Sequence, residues 1–316
     1  MRVDLSVETF GGAEALPDLL SLLRCFAEGR HDWVAGPAVV AAAERYLTEH
    51  APRLAASSVG LARKGTVAAM WSGGCDRSAP VRVGPGDLAD HAADLCRPAV
   101  LVVEDHLSDG CFVRALAEVF RAQRLRRALS QGWLEITHGG GSSLVKVAES
   151  VAGRYRRRVR AAALLDSDRL VPGQHTDSHR KAERLARAGV VVHVLELREA
   201  ENYLPDRVLG RPNRSGGCAR KVRLLARLTP EQRGHFDMKN GFGPPQHPPA
   251  FPIEQVILFG QLDSGTLVGL RGGFGRDLLR RLAGACAELT EEDFASVGPD
   301  VAGELRSLLA TLTSVI

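Results

Sequence analysis

Four apolar runs punctuate the middle of this chain, and each stops abruptly at polar or glycine residues. AVLVV (99–103) ends at Glu104-Asp105, and WLEIT (133–137) leads to Gly139-Gly140-Gly141. AAALL (161–165) ends at Asp166-Ser167-Asp168, and VVVHVLEL (190–197) is followed by REAENYL. Short apolar, β-branched runs of this kind are typically buried on both faces of a parallel sheet. Phe112, Leu116, Val119 and Phe120 mark a helix after the first run, a second helix starts at Ser142, and a third lies near Ser178–Ala188. Strands alternating with helices at this spacing predict an α/β fold, a central, mostly parallel sheet wrapped by helices. Binding and catalytic groups in such sheets gather at the carboxyl ends of strands, which is where all four clusters fall.

The flanks read differently. Leu16, Leu19, Leu20, Leu23 and Phe26 recur at helical spacing, and Pro37 opens a second helix carrying Val39, Ala42, Ala43, Tyr46 and Leu47, so residues 1–97 read as a mainly helical section. Within it, Val67–Trp71 followed by SGGC predicts a short strand and turn. Residues 98–205 form the sheet-bearing middle. Residues 206–316 are loop-rich, with PNRSGG at 212–217 and GPPQHPPAFP at 243–252, and they close on helices around 275–289 and 291–312.

Composition narrows the classes. The chain of 316 residues is 45% hydrophobic and 25% charged, which suits a folded protein of two or three domains. Its net charge of +4 permits a polyanionic partner without requiring one. From Gly110 to Arg160 there are eleven Lys or Arg against Glu118, Glu135 and Glu149. That run reads either as solvated helix faces or as a phosphate-contacting surface, with Arg154, Arg157 and Arg158 as the candidate contacts. Gly139, Gly140 and Gly141 read either as a tight turn or as a loop whose amides approach a phosphate. Six cysteines lie far apart with no CxxC pair, which argues against a zinc site. No GxxxxGK[ST] loop occurs, so no P-loop nucleotide site is expected. MRVDLSVETF lacks the basic-then-apolar run of a signal peptide, and no stretch approaches the ~20 apolar residues of a membrane span, so a cytoplasmic protein without membrane contact is expected.

The chemistry lies in the acids. Glu104 and the Asp166/Asp168 pair end separate strands, so a parallel sheet would converge them at one edge. Crowded carboxylates repel one another unless a cation neutralises them, and hard oxygen ligands of this type suit Mg²⁺ or Mn²⁺. The ordered set LVVEDHLSD (101–109), THGGGSS (137–143), LLDSD (164–168) and LELREAENYLP (195–205) resembles the TOPRIM fold of topoisomerases, primases and OLD-family (overcoming lysogenization defect) nucleases. The resemblance covers about a third of the chain. It implies a Mg²⁺- or Mn²⁺-dependent endonuclease in which Glu104 is the metal-binding or acid/base glutamate, Asp166 and Asp168 are the metal pair, and Glu201 is a supporting acid. It further implies a lysine beyond the DxD that steadies transition-state charge, for which Lys239 in HFDMKNGFG is the candidate. The family usually has Glu-Gly with a second acid four residues after the Glu. Here Asp105 replaces the glycine, Ser108 holds the fourth position, and Asp109 comes one residue late as a prospective ligand. The implied partner is nucleic acid, DNA ahead of RNA, with a separate ATPase or other defence-system protein alongside it in a role against phage.

Two other readings stay open. One is a TOPRIM module without activity, binding nucleic acid beside an ATPase. The other is a receiver-like phosphoacceptor, which VLVVEDHLSD also resembles. Against the receiver, 62 positions separate Glu104 from Asp166, and HVLELREAENYL replaces the expected Thr or Ser and Lys.

Overall fold

The computed structural model describes residues 1–71, 79–211 and 217–316. The SGGC segment, Cys75 and most of PNRSGG lie outside the described residues. In chain order the elements begin with β1 (Arg2–Leu5), α1 (Leu16–Ala27), β2 (Asp32–Trp33), α2 (Pro37–His50), α3 (Pro52–Trp71), β3 (Val81–Val83) and α4 (Leu88–Cys96). The middle follows as β4 (Ala99–Val103), α5 (Ser108–Val119), α6 (Gln123–Ser130), β5 (Leu134–His138), α7 (Leu144–Ala152), β6 (Ala161–Leu165), α8 (Asp177–Arg187) and β7 (Val191–Val194). Short helices α9 to α13 (Asp206–Leu209, Cys218–Leu225, Pro230–His235, Val256–Phe259 and Ser264–Gly269) then punctuate the loops, before α14 (Leu278–Ala285), α15 (Glu291–Ala295) and α16 (Val301–Ser314).

The middle sheet is parallel throughout, in the order β5-β4-β6-β7. Its central strands β4 and β6 are buried at every position, which is why their sequences show no polar alternation. Side chains still divide between the faces with a period of two. Leu101, Val103, Ala162 and Leu164 enter a core with α5, α6 and the C-terminal helices, whereas Val100, Val102, Ala161 and Ala163 pack on α7 and Leu185 of α8. Truncating fully buried Leu101 to Ala would cost about 2–5 kcal/mol. The C-terminal section therefore covers one face of this sheet. Because β4 and β6 are neighbours whose connections leave toward opposite sides, the crevice between their carboxyl ends is a topological switch point, and Glu104 and Asp166 sit there.

The front section departs from the expectation of helices plus one strand at 67–71. It carries a parallel sheet of its own, β2-β1-β3, under α1, α2 and α4. The run at 67–71 is the last turn of α3. Pro52 starts that helix at its first position, and Ala, Leu, Arg and Lys sustain it, residue types that lose little side-chain freedom in a helix. Among the described residues no helix is long and apolar enough to cross a membrane.

Candidate functional site

The site grows from four chain segments. Glu104 follows β4 directly and is half-buried. The chain then turns through Asp105, whose carboxylate accepts Leu107 N–H at 3.1 Å and Ser108 Oγ at 2.7 Å. Asp109, in the first turn of α5, reaches back to accept Asp105 N–H at 2.9 Å. The residue that arrives one position late in sequence is thereby held beside the strand end. Burial first, then the Glu201 and Glu104 carboxylates, push its own carboxyl up to about 6, against the hydrogen bond from Asp105 N–H.

Asp166 follows β6 and accepts Ala200 N–H at 3.0 Å. Burial raises its carboxyl well above the usual range, and Asp109, Glu201 and Glu199 add repulsion that Lys239 only partly offsets. Glu199 and Glu201 come from the turn after β7, and Glu201 is only 5% exposed. Glu199 is also raised by burial, despite its cationic neighbours Lys239 and Arg198.

Lys239 arrives from 73 residues beyond Asp166. Its ammonium lies 2.9 Å from Glu199 Oε2 and 3.3 Å from Glu201 Oε1. Although burial alone would lower its pKa, Glu201, Glu199 and Asp166 together raise it. Asn202 explains how so distant a lysine is placed. Fully buried, it donates Nδ2 to Arg233 O and Phe236 O at 2.9 Å each and accepts Glu199 N–H at 3.1 Å, stapling the Glu199–Glu201 turn to the lysine loop. Gly273 lies against that loop, where an added Cβ would fall 2.5 Å from Lys239 O. Tyr203 completes the ENYL motif by donating its hydroxyl to Glu304 of α16 at 2.6 Å, and Leu204 enters the core.

Glu104, Asp109, Asp166, Glu201 and Lys239 are thus brought together, and Glu199 joins them. Sequence reasoning misses Glu199, although the REAEN spacing that places Glu201 also places it. Asp168 is not brought into this group. It is exposed in a left-handed conformation (φ 54°), its N–H donates to Arg198 O at 3.0 Å, and its carboxylate takes Ser178 Oγ at 3.3 Å at the start of α8. The left-handed turn after Ser167 sets its carboxylate beside the start of α8.

The glycines do not form a free cradle. Gly139 N–H donates to Val103 O at 2.7 Å and Gly140 N–H to Glu104 O at 3.2 Å, so both amides extend the β4–β5 ladder past the strand end. Gly139 is glycine because a Cβ would lie 2.9 Å from Leu144. Gly140 and Gly141 supply the positive φ of the turn. The arginines also fall elsewhere. Arg154, Arg157 and Arg158 precede β6 and so lie at the amino edge of the sheet, opposite the acids. Arg156 and Arg157 pair with Asp90 of α4, and Arg158 lines a separate cleft of about 1200 Å³ beside Trp33 and Arg124. A phosphate-contacting arginine surface beside the acids is therefore absent among these residues.

Among the described residues, no three His, Cys, Asp or Glu side chains stand in a ready coordinating arrangement. The donors at the cluster are nonetheless all hard carboxylate oxygens, and burial raises the Asp109, Asp166 and Glu199 carboxyls, with neighbouring acids adding to the rise. Hard carboxylate donors of this type suit a divalent cation. Compared with known protein families, curated proteins and solved structures, the chain matches none of them.

Proposed function

We propose that this chain is a Mg²⁺- or Mn²⁺-dependent endonuclease that hydrolyses nucleic-acid phosphodiester bonds, DNA ahead of RNA, at the acid cluster between β4 and β6. One observation carries the reading: carboxylates from the ends of two adjacent strands, from α5 and from the 199–201 turn converge at the switch point with a single lysine among them. Glu104, Asp109 and Asp166 would hold the cation, and when bound it would polarise a phosphoryl oxygen and lower the pKa of a bound water. Asp166 is kept in place by the Ala200 amide. Glu199 and Glu201 hold Lys239 where its ammonium can meet charge developing on a phosphate. Asp109, whose carboxyl burial pushes up to about 6 without a cation, would give up its proton as the cation binds. Resemblance to OLD-family nucleases extends the proposal to phage defence beside a separate ATPase, by analogy of fold and motif alone.

The test is incubation of the protein with supercoiled plasmid, single-stranded DNA and structured RNA in Mg²⁺, Mn²⁺ or EDTA. Cleavage is expected with metal and not with EDTA. Asp166→Asn keeps an oxygen for the Ala200 amide and should fold while falling to background cleavage. Cleavage by that variant at the wild-type rate would remove the cluster from the chemistry.

A further inference from the structure

Outside the acid cluster, the front section holds two cysteines whose sulfurs lie 3.2 Å apart, Cys25 near the end of α1 and Cys96 at the last position of α4. They are 71 residues apart in sequence, and the packing of α1 on α4 brings them together. Cys25 is 3% exposed, whereas Cys96 is only partly buried, so Cys96 is the more accessible of the two. The surroundings are electropositive. Arg30 donates to Cys96 O at 2.8 Å, and the guanidinium groups of Arg30 and Arg160 both favour thiolate at the pair. No carboxylate hydrogen-bonds either sulfur among the described residues.

We propose that Cys25 and Cys96 are a redox-active dithiol site that exchanges with low-molecular-weight disulfides and closes into a bond fastening α1 to α4. A disulfide needs about 2.05 Å between sulfurs, so closure requires about 1 Å of further approach between two packed helices. The hydrogen bond between the sulfurs, followed by the charge of Arg30, brings Cys25 down to about 7, and burial opposes it. Cys96, which retains the shared proton, is pushed up. Passing that proton to Cys25 across the 3.2 Å contact leaves Cys96, the less buried of the two, as the attacking thiolate. Cys96 thiolate attacks one sulfur of the small disulfide, forming a mixed disulfide and expelling one thiolate. Cys25 thiolate then attacks the Cys96 sulfur, forming the Cys25–Cys96 bond and expelling the second. Two electrons pass from the protein to the small disulfide, and its two thiols take up the two protons.

The experiment equilibrates the full chain with oxidised and reduced glutathione in varied ratio, then blocks free thiols with an alkylating reagent and maps them by peptide mass spectrometry. As the ratio becomes oxidising, Cys25 and Cys96 should lose alkylation together and appear as one cross-linked peptide, while Cys111, Cys218 and Cys286 remain alkylatable. The oxidised protein should melt several degrees higher, reversibly on reduction, because the bond closes a long loop. Cys25→Ser should stall as a glutathione adduct on Cys96, a readout that simple proximity would not produce. Mapping of the wild type needs no variant, so it decides the matter even if Cys25→Ser fails to fold. Full alkylation of both cysteines after equilibration with oxidised glutathione, or a cross-link joining a different pair, would overturn the proposal.

Discussion

At the scale of single residues, the acid cluster holds charge at the expense of stability. Asp109 has a folded pKa near 6, above the usual aspartate range. The folded state therefore holds a proton that the unfolded chain has released between about pH 4 and pH 6, and stability falls as pH rises through that window. Above it the full penalty applies. Asp166 acts in the same direction. Asp109→Asn retains an oxygen for the Asp105 amide while removing the charge. Each tenfold change in proton affinity between folded and unfolded chain is worth about 1.4 kcal/mol, so in EDTA at pH 7.5 the variant should be more stable by about 1–3 kcal/mol. Near pH 4 the gain should vanish. Adding Mg²⁺ should raise the melting temperature of the wild type more than that of the variant. Denaturant melts at the two pH values, with and without metal, check this. A variant less stable than wild type at pH 7.5 in EDTA would mean that Asp109 is a structural hydrogen-bonding group with no electrostatic burden.

At the scale of elements, the parts legible in the sequence are those whose environment is uniform. β4 and β6 are buried on both faces, so AVLVV and AAALL stand out, and the acids that end them are visible as interruptions. The front sheet is hidden because its strands are two to four residues long and only β1 alternates, with Val3 and Leu5 buried between half-buried Arg2 and Asp4. The alanine-rich end of α3 reads as a strand because five apolar residues carry no periodicity long enough to distinguish helix from strand. In the site, Glu104 and Asp166 can be located by strand ends, but Asp168 cannot, since one left-handed residue decides where its carboxylate goes. Lys239 is positioned by a loop whose geometry depends on buried Asn202. Asn202→Ala leaves Arg233 O and Phe236 O without their donor and should cost about 1–3 kcal/mol, the usual penalty for an unsatisfied buried group. It should also release the Lys239 loop and lower cleavage, while Asn240→Ala on the exposed side of the same loop should do neither. Chemical denaturation and the plasmid assay read the two effects separately. Unchanged cleavage by a folded Asn202→Ala protein would show that Lys239 keeps its place without the staple.

At the scale of the whole molecule, the arginines before β6 join sections of the chain. Asp94 of α4 is 1% exposed, and its carboxylate accepts the backbone amides of Arg156, Arg157 and Arg158. Arg160, fully buried, pairs with no carboxylate among the described residues and donates instead to carbonyls: Val315 after α16, and Asp94, Leu95 and Arg97 at the end of α4. Burial lowers its pKa to about 10, which leaves it charged at neutral pH and dependent on those dipoles. One side chain thus ties the front section, the start of β6 and the end of the C-terminal helix. Arg160→Met fills much of the volume but leaves the Val315, Asp94 and Arg97 carbonyls without that donor, and should be clearly destabilising, at about 1–3 kcal/mol per buried unsatisfied group. Asp90→Ala, which removes the more exposed pairs with Arg156 and Arg157, should leave stability nearly unchanged. The loss should also be uneven. With that tie cut, fewer contacts such as those of Asp94 with the Arg156, Arg157 and Arg158 amides fasten the front section, so the amides of β1, β2 and β3 should gain hydrogen exchange before those of β4 and β6 do. Native-state hydrogen exchange read by mass spectrometry resolves the two sheets. If Arg160→Met accelerates exchange equally in both, the front and middle sections unfold as one cooperative unit, and Arg160 is one buried contact among many within it.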